Sequence, residues 1–293
     1  MRVTQSMLAG SMLRNINNSF TQLAELQNQL YTGKKISRAS QNPVVAMRGI
    51  TYRESLSDIE QFQSNITHAQ SWLDNTDSSL NHATKALSRI RDLVVQAKNG
   101  TMTPEDQEKV EKEIEQLHQN LIEVGNTTFA GRYIFNGTDT ENPPIVKDDE
   151  GNFQYATGQA PYLIEVSSGV KIDVATKAED VFTGDLFAMV SNVRDALKNV
   201  DDADLDGVLN DIDDHLETVI SARAEVGAKT NRIELVGERM NSQQLFAKTV
   251  LSENEDVDIE KVITELKTQE TVHRAALAVG ARVIQPSLID FLR

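Results

Sequence analysis

Apolar residues at coiled-coil spacing along most of the chain, one central stretch where the period drops to two, and the placement of helical runs on both sides of it predict a mainly α protein. The expected architecture is a nested terminal coiled coil and a long-helix rod bundle, with a small β-rich insertion. Aromatic residues make up only 5% of the 293, so packing falls to Leu, Ile, Val and Ala on helices.

The first run, within residues 1–38, carries Leu13, Ile16, Phe20 and Leu23, is interrupted at Gln27 and resumes at Leu30. One narrow stripe per helix requires a partner helix along its length. Its simplest partner is the last run, within 257–293, where Val262, Leu266 and Gln269 lead to Val272, Ala276, Val279 and Val283. Pro286 stops that helix, and Leu288, Ile289, Phe291 and Leu292 form an apolar tail. Gln27 and Gln269 either fix the register of the seam or lie at its edge; the spacing alone leaves both readings open.

Gly33 suits a helix C-cap, and Asn42-Pro43 marks a break, because the residue before proline is pushed out of the helical region. Lys34, Lys35 and Arg38 between them read as a phosphate site or as a solvated helix end, the second being favoured by the helix dipole. From Val44 to Lys98 a long helix is expected. Ile59, Phe62, Ile66, Ala69, Leu73, Thr76, Leu80, Ala83, Leu87, Ile90, Val94 and Ala97 keep heptad register throughout.

Asn99-Gly100 ends it. Thr103 as N-cap and Pro104 in the first turn then start a helix with Val110, Ile114, Leu117, Leu121 and Val124 on one face, closed by Gly125. Between Phe129 and Phe182 the period alternates. Tyr162, Ile164 and Val166, then Val170, Ile172 and Val174, flank Ser167-Ser168-Gly169 as a hairpin, and Phe153 with Tyr155 suggest a third strand. Helix resumes at Leu186, Val190, Val193 and Leu197. A second long heptad run carries Leu209, Ile212, Leu216, Val219, Val226, Ile233, Met240, Ala247 and Leu251, with polar breaks at Arg223, Thr230 and Gln244. The expected division is 1–43 with 252–293 (terminal coiled coil), 44–137 with 184–251 (helical rod) and 138–183 (β-rich outer insertion). This nesting would put the two termini at one pole and the insertion at the other.

The net charge of −15 is unevenly spread. Residues 139–217 hold 19 acidic and 5 basic side chains, whereas residues 1–40 hold 5 basic and 1 acidic. The ends, nearly free of acidic repulsion, can pack against copies of themselves, and the middle is solvated. No basic stripe with interleaved aromatics points to nucleic acid. The absence of cysteine excludes disulfides, thiolate metal sites and a cysteine nucleophile. No apolar run reaches signal-peptide or membrane-spanning length, so no membrane partner is expected, and export would use another route.

Catalytic chemistry is not expected. His68, His82, His118, His215 and His273 lack companions at metal spacing, and no zinc-protease, nucleophile-elbow or phosphate-loop motif occurs. Asp202, Asp204, Asp206 and Gly207 imitate the start of a calcium loop. Its closing ligand would be Asp213, where a longer bidentate glutamate is needed. A solvated turn in which Asp206 or a neighbour caps the next helix is the favoured reading, with calcium the alternative. No cofactor is expected.

Several motifs together resemble the flagellin superfamily, and within it the branch of hook-filament junction proteins. Met1-Arg2-Val3-Thr4 with Leu13-Arg14-Asn15-Ile16-Asn17-Asn18-Ser19 is similar to that branch's start. Leu30-Tyr31-Thr32-Gly33-Lys34-Lys35-Ile36 with Ser40-Gln41-Asn42-Pro43 resembles the superfamily's L-x-x-G-x-x-I and S-D-D-P, Gln41 and Asn42 standing for the acidic pair. Gly131-Arg132-Tyr133-Ile134-Phe135-Asn136-Gly137-Thr138 with Asn142-Pro143-Pro144 is similar to the junction branch's entry into its outer domain. Ala222-Arg223-Ala224-Glu225-Val226-Gly227-Ala228-Lys229-Thr230-Asn231-Arg232 resembles the shared motif of the returning rod helix.

The resemblance implies a secreted structural protein of the bacterial flagellum, exported unfolded without a cleaved signal peptide. Its implied partners are copies of itself in a ring, the first hook-associated protein below, flagellin above, an export chaperone and the type III export apparatus. A flagellin forming the filament itself, and a cytoplasmic coiled-coil adaptor, are the alternative functions. The assembly residues expected are Leu13, Ile16, Phe20, Leu23, Leu30, Val272, Ala276, Val279, Val283, Leu288, Phe291 and Leu292.

Overall fold

The computed structural model describes residues 5–98, 103–147, 153–198 and 204–284. In chain order the elements are α1 (Gln5–Thr32), α2 (Pro43–Lys98), α3 (Pro104–Gly125), β1 (Thr128–Phe129), β2 (Arg132–Tyr133), β3 (Ile145–Lys147), β4 (Phe153–Tyr155), β5 (Leu163–Ser167), β6 (Val170–Asp173), α4 (Ala178–Val181), α5 (Gly184–Lys198), α6 (Leu205–Glu255) and α7 (Ile259–Ile284). The fold is mainly α, with a small strand insertion. Two compact units emerge, one from Met1–Asp58 and Gln244–Arg293, the other from Ile59–Gln243.

The unit 59–243 holds nearly all of the apolar core. On α2 every heptad position from Ile66 to Ala97 is buried, and Trp72, Ala86 and Leu93 widen the stripe. Ile212, Val219, Val226, Ile233 and Met240 bury the matching face of α6 at a strict seven-residue interval. The two helices run antiparallel: Gln63 pairs with Asn241 (2.7 Å), Asp77 with Arg223 (3.0 Å) and Arg91 with Asp213 (2.7 Å), so numbers rise on one as they fall on the other. Arg223 is therefore a cross-helix ion pair at a polar break of the heptad. Thr230 instead returns its hydroxyl to Val226 O at 3.0 Å.

Thr103 caps α3 as expected, accepting from Asp106 N, and Ile114 and Leu121 are fully buried beneath it. Gly125 is needed for approach: a Cβ there would lie 2.5 Å from Ile145 Cδ1. Past it, Asn126 exchanges two hydrogen bonds with the Ile145 backbone (2.9 and 3.0 Å), fastening β3 to the end of α3.

The β5–β6 hairpin forms with Ile164 opposite Ile172 and turns through Gly169 at φ 72°. The expected third strand exists as β4, but it pairs with β3 (Ile145 opposite Tyr155) and not with the hairpin. The described strands thus make three separate two-stranded ribbons. Phe153 and Tyr155 turn inward toward α3 and α5: His118 lies edge-on to Phe153, and Tyr155 stacks on Phe187 at 5.3 Å. In the stretch from Gly131, Ile134 and Phe135 are fully buried and Phe135 O accepts from Ala178 N, which seats the short α4. Gly137, at φ 56°, leaves room for Ala160 O, which a Cβ would approach to 2.4 Å.

Candidate assembly surface

In the other unit, α1 and α7 lie antiparallel: Gly280 faces Met12 and Ile16, and Gln269 reaches Ser19 and Gln22. Each end of the chain is thus the other's partner. Their seam is poor in apolar burial. Among the described residues of this unit Val262 is the sole buried large hydrophobic, joined by buried Ser19 and Gly280.

The expected assembly residues divide accordingly. Ile16, Leu23 and Ala276 are half-buried in the hairpin, while Leu13 (54% exposed), Phe20 (61%), Leu30, Val272 and Val279 face outward. Val283 belongs to α7, and Leu288, Phe291 and Leu292 lie outside the described residues, as do Ile289 and Pro286. An open groove of about 940 Å³ runs along the hairpin between Leu8, Met12 and Ile16 on one side and Val272, Ala276 and Val279 on the other. Met7, Leu8 and Met12 extend the expected surface; the four-residue steps from Leu8 to Met12 to Ile16 were the available signal. Exposed apolar side chains on this scale mark a contact surface.

Gln27 is exposed, at the edge of the seam. Gln269 is within it, donating to Ser19 Oγ (3.1 Å) and Gln22 Oε1 (2.9 Å), and His273 Nδ1 sits 3.2 Å from Ser19 Oγ. The two interruptions therefore have different causes.

Beyond α1 the chain is held by polar contacts. Gly33, at φ 67°, closes the helix and accepts from Val257 N, and Lys35 N donates to Glu255 O at 2.7 Å. The Lys34 and Lys35 side chains are solvated, as expected of this segment, but they also reach polar groups at the end of α6. Lys34 pairs with Asp256 (2.6 Å) and Glu255 (3.5 Å), and Lys35 Nζ donates to Glu253 O in the last turn of α6. The dipole they complement is that of α6. The Asp256 hydrogen bond raises the Lys34 ammonium above its ordinary pKa, and Lys34, with help from Ser252, lowers the Asp256 carboxylate. Gln41 Oε1 accepts from Ser37 N and Arg38 N (2.8 and 3.0 Å), and Asn42 Oδ1 caps α2 by accepting from Val45 N. Amide oxygens are sufficient acceptors here.

Glu255 was invisible to pattern reading. It is 5% exposed, bonds Arg53 Nη2 at 2.7 Å, and lies where a Cβ on Gly49 would meet Oε1 at 2.3 Å.

Of the calcium-loop residues, Asp202 lies outside the described residues. Asp204 caps α6 by accepting from Gly207 N (3.0 Å), Asp206 pairs with Lys98, and both Asp213 oxygens accept from Arg91 (2.7 and 3.2 Å), which lowers the pKa of that carboxylate. The cap is Asp206's neighbour. No helix among the described residues is long and apolar enough to cross a membrane.

Models of the bacterial flagellin N-terminal and C-terminal helical regions match residues 3–140 and 209–292, the two stretches that carry α1–α3 and α6–α7. The chain belongs to the flagellin family. Among flagellin-family relatives it is 25% identical to flagellar hook-associated protein 3 of Escherichia coli, over 94% of this chain and 95% of that one. It is 24% identical to the 33 kDa flagellar filament core protein of Treponema phagedenis, over 100% of both. Among solved structures, FlgL of Bacillus cereus matches with a TM-score of 0.60 at 25% identity, covering 69% of this chain and 99% of that one. A flagellar hook-associated protein of Vibrio parahaemolyticus matches with a TM-score of 0.68 at 21% identity, covering 74% and 100%.

Proposed function

We propose that this flagellin-family chain is a structural subunit of the bacterial flagellum that joins the hook to the filament and templates flagellin assembly. The observation that carries this reading is the near end-to-end match to hook-associated protein 3. The physical counterpart is a unit whose two helices bury almost nothing apolar between them and hold Leu13, Phe20, Val272 and Val279 outward. Such a surface is completed by neighbouring subunits. In this reading copies form a ring, with the first hook-associated protein below and flagellin above, and residues 1–43 with 252–293 line its inside. Residues 44–137 with 184–251 form the surrounding shell, and the acidic insertion 138–183 faces outward. The subunit reaches the flagellum through the type III export apparatus, escorted by a chaperone and without a cleaved signal peptide.

Deletion of the gene in the source organism tests it: hooks without filaments and flagellin monomers in the medium are expected. The match to the Treponema filament protein favours a second reading, a filament subunit. In that case deletion removes filament mass and releases no free flagellin, which would overturn the junction reading.

A further inference from the structure

Within the unit 59–243, the stretches 136–138 and 158–160 lie directly against each other. Thr138 N donates to Ala160 O at 3.2 Å, and a Cβ on Gly137 would come within 2.4 Å of Ala160 O and 2.9 Å of Gln159 Cβ. The second stretch is also tied to α4, where Glu179 Oε2 accepts from Gly158 N at 2.6 Å. Neither stretch belongs to a helix or strand, so its polar groups must find partners outside any ladder.

Three side-chain atoms here are fully buried and have no hydrogen-bond partner among the described residues: Asn136 Oδ1, Gln159 Nε2 and Gln159 Oε1. Asn136 is 2% exposed, and its Nδ2 donates to Asn142 O at 2.9 Å. That bond fixes the way the Asn136 amide faces, because flipping it would set two oxygens against each other. Asn136 thus offers an acceptor, and Gln159 brings a donor and a second acceptor. The amides are complementary, yet they do not bond each other. Trp72 Nε1, a further buried donor without a conventional partner, differs from them: it belongs to a ring packed against His68, Phe129 and Tyr162, and aromatic faces accept weakly.

A buried polar atom left unpaired forfeits its hydration without return, and folded chains leave few in that condition. Whatever satisfies these three must be small, neutral and able both to donate and to accept. A cation suits the two oxygens but is repelled by the Gln159 Nε2 protons, and no carboxylate is among the three atoms. An anion suits Nε2 alone. Water meets every requirement.

We propose that Asn136 and Gln159 enclose an internal hydration site, in which ordered water accepts from Gln159 Nε2, donates to Asn136 Oδ1 and fastens residues 156–161 to the stretch 131–138. Gly137 is the residue that lets the two stretches approach closely enough to exclude bulk solvent from it. The inference concerns residues 59–243 and stands independently of the hook-filament reading.

Magnetic resonance of the full chain with isotope-labelled side-chain amides tests it. The Gln159 Nε2 protons, assigned by their disappearance in Gln159→Met, should show direct dipolar contact with water held for the tumbling time of the protein. Gln159→Met itself keeps the side-chain length and removes both amide atoms. It should lower the midpoint of thermal unfolding, followed by Trp72 emission, by about 2–4 °C, because the bridge to Asn136 is lost with it. An amide buried without water gives the opposite sign, since deleting an unpaired polar group relieves the folded chain. A Gln159 amide with no contact to held water, or one bonded directly to Asn136, would overturn the proposal, as would a midpoint that stays or rises in Gln159→Met.

Discussion

Arg53 Nη2 lies 2.7 Å from Glu255 Oε2, joining the start of α2 to the end of α6 across 202 positions of sequence. Glu255 is buried while Arg53 is 61% exposed at its side chain, so the cost of desolvation falls on the carboxylate and much of the arginine's charge remains screened. In a unit where Val262 is the sole buried large hydrophobic among the described residues, such polar contacts stand in for a core. Glu255→Ala should therefore loosen this unit by about 0.5–1.5 kcal/mol, the net worth of a typical hydrogen bond, since the exposed Arg53 and Lys34 side chains regain water. Amide exchange should rise in residues 33–58 and 250–262, with Trp72 emission unaffected. Gly49→Ala should act in the same direction, because its Cβ forces the Glu255 carboxylate to move.

A second prediction sets the two units against each other. Leu87→Ala empties a fully buried site between helices and should cost about 2–5 kcal/mol, read as a lowered thermal midpoint. Leu13→Ala and Phe20→Ala remove outward-facing side chains and should change the stability of the free chain by about 0.5 kcal/mol or less. Under the proposed function the same two substitutions should impair assembly into flagella, counted by microscopy of a complemented deletion strain. The substitution that leaves the isolated chain intact is then the more damaging one for assembly.

Packing explains a third. Gly125 sits beneath Ile145 and Phe182, and an added methyl would meet Ile145 Cδ1 at 2.5 Å. Gly125→Ala favours the helix intrinsically, yet overpacking in a filled site costs about 1–3 kcal/mol and should win. A lowered midpoint of thermal unfolding followed by Trp72 checks it; an increase would show that β3 can yield.

Heptad register carried α2 and α6 because each helix buries one face for most of its length, so Ile66, Leu80, Ile212 and Val226 declare their roles by period alone. The same logic put α1 against α7. It did not reveal which partner β4 takes, since three-residue strands contain no register information and Phe153 is oriented by His118 and Tyr155 by Phe187, both on distant helices. Glu255 was equally silent: its burial is created by Gly49, Arg53 and Lys34, whose convergence depends on the turns at Gly33 and Asp256. In the α1–α7 hairpin the expected stripe was only half legible: Ile16 and Leu23 lie in the seam, Leu13 and Phe20 face outward, and Ser19, which was not part of that stripe, is the buried residue between them because its hydroxyl finds Gln269.

The last prediction concerns acid. His118 on α3 is half-buried between Phe153 of β4 and Phe187 of α5, at ring distances of 5.8 and 5.7 Å. Burial is the largest influence and pushes its pKa below 6.5; Glu115 opposes the shift and Arg194, itself bonded to Glu115 at 3.1 Å, adds to it. A folded-state pKa below the unfolded one means the unfolded chain binds the proton more readily. The contribution of His118 is thus complete above about pH 6.5 and is lost as pH falls through the depressed folded value. His118→Phe removes this proton from the balance. Between pH 7.5 and pH 5 the unchanged chain should lose more stability than His118→Phe does, measured as the shift in urea midpoint for Trp72 emission. Equal losses in the two chains would mean that the ring between Phe153 and Phe187 protonates as freely in the folded protein as in the unfolded one.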